Sequence, residues 1–455
     1  MAVLRHTISS LDLTRIALLA AGFLSLAVAA GVFWASPFTS RADDVLAAVV
    51  GLSGALLIGA TMLRVVARQV VLLSAMAAVV AILATEGYLR YATMQAHSTN
   101  VGARPDARDA LLDMRGRGDR AYVSLLHDDI TRADSSGERR SILQVGGAPV
   151  LPMGGVALAT TVLCNETGAW VTYRSDQFGF RNPVKIWNGA IEIAAVGDSF
   201  TQGNCVPDGR HFVDLLRRDD SRLLNLGQRG DGPLGGLATI REFAAPKTPA
   251  LVVWFYFEGN DMPGDFLREL RTPLLRNYLD PAFGQRLMAR SDQVSAAFAA
   301  YIDARLAQPG RSLGLKTASR SPWWRDVKGL VSLYRLRSAF GFADYPDNGD
   351  NGIVGSYAQV IQSAKETIAG WNGQLALVYL PTRRRFVSPG ARRILDRYRA
   401  AVLKTAMTHD IPILDMTEFF TAHNDPVALF NEHYNEVGHQ LVADKTNSFI
   451  QALRR

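Results

Sequence analysis

The chain is 455 residues long, too long for a single small core, and its 48% apolar content is ordinary only as an average. The formal net charge of +7, from 49 basic and 42 acidic residues, comes with no Lys/Arg-rich face interleaved with aromatics, so nothing points to nucleic acid. Two cysteines and no Cys/His cluster leave neither a metal nor a cofactor implied.

The first 92 residues hold three apolar runs: Ile16–Ala35, Val45–Leu63 and Val70–Leu89, the last broken by Glu86 alone. A helix needs about 20 apolar residues to cross a bilayer. Three transmembrane helices are therefore expected, at about 16–35, 45–63 and 70–89. A signal peptide with two core helices is the alternative, but no small-residue cleavage site precedes a polar start. Arg5 and Arg15 flank the first run, and Arg64 and Arg68 lie in the second connection. The first connection, SPFTSRADD, has one arginine against two aspartates. Basic loops stay in the cytoplasm, which places everything after residue 92 outside it. Cys164 and Cys205 then share an oxidising compartment, as a disulfide or as two buried thiols.

Residues 93–145 are polar and arginine-rich and read as a connector from membrane to domain. From 146 onward short apolar runs alternate with helical patterns: AIEIAAVG (190–197), RLLNLG (222–227), ALVVWFYFEG (250–259), QLALVYLP (374–381) and IPILDM (411–416). Strands alternating with helices predict a parallel sheet covered on both faces. The long gap at about 265–350 is periodic and reads as a helical insertion, with Trp323 and Trp324 packed in a core or against lipid headgroups.

Open parallel sheets bind ligands beyond the carboxyl ends of their strands. There stand Gly197-Asp198-Ser199, then Gly227, then Asn260-Asp261, and near the C-terminus His433 in NEHYNEVGHQ. Acyl transfer through serine needs this set. A histidine takes the hydroxyl proton, and fixed N–H donors hold the developing oxyanion.

GDSFTQG, NLGQRG, GND and the late His433 together resemble the SGNH/GDSL hydrolases over roughly residues 170–450. SDQFGFRNP and EGNDM resemble that family's membrane-anchored bacterial branch. The resemblance implies an α/β, flavodoxin-like three-layer domain behind the membrane helices, multi-pass in the bacterial inner membrane and facing the periplasm. It implies Ser199 as nucleophile, His433 as base, and Gly227 and Asn260 as oxyanion donors beside the Ser199 N–H. The implied activity is a serine esterase or deacylase acting on O-acyl groups of extracytoplasmic polysaccharide, with no cofactor. An O-acyltransferase using the same site, and a faded scaffold binding glycan or a membrane partner protein, stay open.

Two positions depart from the family. Its usual aspartate before the histidine is replaced by Phe430 and Asn431, with Glu432 adjacent. That leaves a Ser–His dyad, or Asn431, Glu432 or Asp415 as the orienting group, with Asp198 a further candidate. Glu258 stands where a glycine often opens the Asn-Asp block. Asp198 is expected to brace the nucleophile turn, Asp261 to orient Asn260, and His439 to pack or cap. Arg383–Arg385 either meet an anionic substrate or form a solvated loop.

Overall fold

The computed structural model describes residues 13–35, 41–100, 107–308, 333 and 352–455. Two compact units emerge: Met1–Gly102 with Arg320–Gly349, and Ala103–Ser319 with Asp350–Arg455.

The first unit holds helices α1 (Leu13–Ala35), α2 (Arg41–Ala60) and α3 (Val65–Asn100). Among the described residues two stretches, Leu13–Ala30 and Val65–Tyr91, are long and apolar enough to cross a membrane, not the three expected. In the middle run α2 ends at Ala60, short of the expected boundary at 63. The helix ends there because Thr61, Met62 and Leu63 turn their N–H groups back to carbonyls three residues earlier. Arg68 then closes the turn by donating to the Thr61 carbonyl at 3.2 Å. Where α1 and α2 meet, a Cβ on Gly22 would lie 2.9 Å from the Gly54 carbonyl oxygen, and one on Gly54 would lie 2.8 Å from that of Gly22. Only small residues allow backbones this close. Phe23, Leu24, Leu52, Leu56, Leu73 and Val80 point outward from the three helices. Glu86, the one charge inside the third run, is buried and pairs with Arg90 at 3.1 Å.

Among its described residues the second unit contains twelve strands: β1 Ala121–Val123, β2 Thr131–Ala133, β3 Arg139–Ser141, β4 Gln144–Val145, β5 Ala148–Pro149, β6 Thr160–Cys164, β7 Val171–Arg174, β8 Ile193–Gly197, β9 Leu223–Asn225, β10 Leu251–Phe257, β11 Gln374–Leu380 and β12 Ile413–Asp415. Strands β8 to β12 are the five apolar runs of the sequence. They form one parallel sheet in the order β9-β8-β10-β11-β12. In chain order this is 2-1-3-4-5, the flavodoxin-like doubly wound arrangement.

Strand β10 is buried at all seven positions, as a central strand with both faces covered must be. On one face Phe212, Leu216, Val442 and Ile450, from helices Phe212–Arg217 and Glu436–Leu453, pack on Ala195, Val253 and Val378. On the other face Trp254 lies against helix Pro233–Thr239, where a Cβ on Gly236 would sit 2.4 Å from the indole. Tyr256 meets Tyr357 of helix Ile353–Ala369, ring centroids 5.6 Å apart. The chain winds in opposite directions from β8 and β10, so the ligand crevice opens between their carboxyl ends.

Residues 107–145, expected as a connector, enter the fold instead. Helix Ala107–Gly116 precedes β1, which pairs in parallel with β6, and β6 pairs antiparallel with β7. The arginines of this stretch are staples. Arg115 lies 4.6 Å over the Tyr122 ring and pairs with Asp303 at 2.8 Å, while Arg108 donates to the Leu306 carbonyl. The expected insertion is helical where described, at Phe266–Glu269, Pro273–Arg276 and Ser291–Leu306. Trp323 and Trp324 lie outside the described residues.

Candidate active site

Strand β8 ends at Gly197, whose φ is 155° and where a Cβ would press on the Phe255 carbonyl oxygen at 2.6 Å. This sharp exit starts a one-turn helix, Ser199–Gln202, with the nucleophile candidate at its first position. Asp198 caps that helix by accepting the Phe200 N–H at 2.9 Å. Burial raises the Asp198 carboxyl to about 6, against the opposing effect of that bond and of nearby His433. Asp198 thus braces the turn, as expected.

Ser199 is 6% exposed, and its hydroxyl donates to His433 Nε2 at 2.9 Å. His433 sits in a tight turn closed by a bridge between Phe430 and Tyr434, just before helix Glu436–Leu453. Its ring lies 4.7 Å from that of Phe200, centroid to centroid. The other ring nitrogen, Nδ1, is 2.5 Å from Glu166 Oε1. Glu166 Oε2 accepts the backbone N–H groups of Glu432 and His433 at 3.0 and 3.1 Å. Burial alone would raise the Glu166 carboxyl, but the imidazole and these two N–H groups outweigh it and hold the carboxyl below its usual range. An ionised carboxylate only accepts, so Nδ1 carries the proton and Nε2 presents its lone pair to serine.

Glu166 was not among the residues read from the sequence. It lies in the loop joining β6 to β7, 267 positions from His433. The legible signal was the cysteine pair. Cys164 is bonded to Cys205, Cα to Cα 5.5 Å, which ties the Glu166 loop to the loop following the nucleophile helix. Besides Asp198, the three residues expected to orient the histidine do other work. Asn431 bonds through its backbone N–H to the His433 carbonyl and has an exposed side chain. Glu432 reaches the site through its N–H, and Asp415 pairs with Arg399 and caps Thr417.

Gly227 lies against the nucleophile helix, where a Cβ would meet Gln202 N at 2.4 Å, and its N–H donates to Asn225 Oδ1 at 2.9 Å. Asn260 follows β10, and its Nδ2 donates to Asp265 Oδ2 at 2.6 Å. Both expected oxyanion donors are thus engaged within the free chain. Asp261 accepts the Phe257 N–H at 2.8 Å and so pins the Asn260 loop. Glu258 is buried against Arg385 at 2.6 Å and also accepts from Tyr379 and the Thr382 N–H, which makes Arg385 a structural ion-pair partner. His439 is buried and accepts the Phe212 N–H at 3.2 Å, a packing and capping residue. Asp208, His211 and Asp214 have ligand atoms within 4.8 Å of one another, but Arg181 and Arg217 already neutralise the two carboxylates.

No family model matches the chain, and no curated protein matches it. Solved structures do. A lipase/acylhydrolase from Enterococcus faecalis is 13% identical, with 58% of this chain and 96% of that one covered and a TM-score of 0.32. A member of the lipolytic G-D-S-L family from Veillonella parvula is 17% identical, covering 57% and 97%, with a TM-score of 0.30. An acetyl xylan esterase is 14% identical, covering 57% and 100%, with a TM-score of 0.32. The likeness is to G-D-S-L esterases and acylhydrolases. At such identities and scores it carries no chemistry, which stands on the side chains above.

Proposed function

We propose that the chain is a membrane-associated serine esterase of the SGNH type, working through an acyl-serine. The observation that carries this reading is the continuous relay from Ser199 through His433 to Glu166, at 2.9 and 2.5 Å, at the switch point of a doubly wound sheet. His433 takes the Ser199 proton as Oγ attacks the ester carbon, and Glu166 stabilises the imidazolium that forms. The Ser199 N–H, in the first helical turn and without an intrahelical partner, meets the oxyanion. Gly227 N–H and Asn260 Nδ2 join it by exchanging their present acceptors, Asn225 and Asp265, for the fuller charge of the intermediate. His433 then protonates the leaving alcohol, and water completes the cycle.

Two apolar helices with outward-facing side chains support anchoring in a membrane. The disulfide supports a catalytic unit in an oxidising compartment outside the cytoplasm. That location makes O-acylated envelope glycans the substrates to test.

The test is labelling with a fluorophosphonate serine probe, alongside turnover of acetylated oligosaccharides. Wild type is expected to label, and Ser199→Ala and His433→Ala are not. A folded wild type that neither labels nor hydrolyses acetyl esters would sink the esterase reading.

A further inference from the structure

We infer that Asn204 is a further catalytic residue, whose amide N–H binds the oxygen of the departing alcohol and whose amide oxygen then accepts a hydrogen of the water replacing it. The inference rests on the serine-esterase reading. Asn204 follows Gly203, which ends the nucleophile helix at φ 83°, and precedes the disulfide-bonded Cys205. Its N–H donates to the Ser199 carbonyl at 2.9 Å. A Cβ on Gly203 would meet the His211 ring at 2.6 Å, so the turn is packed tightly from behind. Held in this way, Asn204 is 1% exposed and places Nδ2 3.5 Å from His433 Nε2. Its Oδ1 is buried and has no hydrogen-bond partner among the described residues. Buried polar atoms are nearly always satisfied. An exception on the amide whose other end lies beside His433 calls for a partner that arrives with the reaction.

The proton steps supply that partner. Once Ser199 Oγ has bonded to the acyl carbon, its proton is on Nε2. Collapse breaks the carbon–oxygen bond to the alcohol, and the Nε2 proton moves to that oxygen. The departing oxygen therefore passes beside Nε2, within reach of an N–H of Asn204 while its charge builds. In the second half water takes the same place. One of its hydrogens goes to Nε2 as its oxygen bonds to the acyl carbon, and the other is donated to Asn204 Oδ1. The bond to Oγ then breaks, and the proton returns from Nε2 to Ser199.

Stopped-flow kinetics of the full chain with p-nitrophenyl acetate separate the two halves, because nitrophenolate leaves without needing a proton. Asn204→Ala should keep the nitrophenolate burst and slow deacylation by about 10-fold or more, the cost of one lost hydrogen bond that positions the attacking water. With ethyl acetate both halves should slow. Asn204→Asp keeps an acceptor beside His433 and adds charge, so its acid limb in the pH–rate profile should move to higher pH. Equal slowing of burst and deacylation, or no slowing, in a variant that still labels with fluorophosphonate would overturn the inference. If Asn204→Ala does not fold, wild-type turnover and an unmoved acid limb in Asn204→Asp overturn it instead. A wild type that does not label fails the esterase reading itself, a separate outcome.

Discussion

At the scale of single residues, the proposed mechanism makes Glu166 the group that decides how good a base His433 is. Its carboxylate touches both the imidazole and the two N–H groups that fix the ring's backbone, so charge and orientation come from one side chain. Glu166→Gln should lower kcat by about 10²–10⁴-fold with KM little changed, because the wrong tautomer is then favoured. Asn431→Ala should stay near wild type, since its exposed side chain has no part in the relay. Steady-state kinetics on one acetyl ester would check both. The pH dependence has a definite sign. The folded-state pKa of Glu166 lies below its unfolded value of about 4.5. Its contribution to stability is therefore complete above that pH and is lost as pH falls through the lower folded value. Thermal unfolding from pH 7 to pH 3 should show a shallower decline in Glu166→Gln than in wild type.

At the scale of elements, the β6–β7 hairpin is a separate piece of chain that completes a site built on the parallel sheet. Its tie to the nucleophile loop is the Cys164–Cys205 bond, closing a loop of sequence separation 41. A loop of that size is worth about 4 kcal/mol in the chain-entropy account. The double variant Cys164→Ser/Cys205→Ser should unfold at lower temperature and lose activity in step with the Glu166–His433 contact. Loss of stability with undiminished kcat would show that the hairpin needs no such tie. In the first unit, the close passage of α1 and α2 at Gly22 and Gly54 leaves no room for a side chain. Gly54→Leu should separate these helices, read as faster proteolysis within them in detergent.

At the scale of the whole molecule, the proposed function puts the apolar helices in lipid and the disulfide-bonded unit in water outside the cytoplasm. The protein should stay in the membrane pellet through an alkaline carbonate wash. In spheroplasts, protease added outside should digest the catalytic unit. Release by carbonate, or protection from external protease, would contradict the proposed placement.

The sequence alone was enough for the five strands of the main sheet, because each is a continuous apolar run ended by glycine or a polar pair, a pattern local in the chain. It also singled out Ser199 at the end of one such run, His433 in a polar loop near the C-terminus, and the two cysteines as a candidate bridge. It misplaced residues 107–145, whose strands are too short and too little buried to show as apolar runs and whose Arg115 looks solvated until Tyr122 and Asp303 meet it. Hydropathy also carried the middle run on to residue 63, because it does not register the hydrogen bonds that end α2 at Ala60. Local reasoning sought the orienting acid beside His433 at Asn431 and Glu432. Only the tertiary structure brings Glu166 there, since a contact spanning 267 positions leaves no periodicity and no spacing in the chain to read.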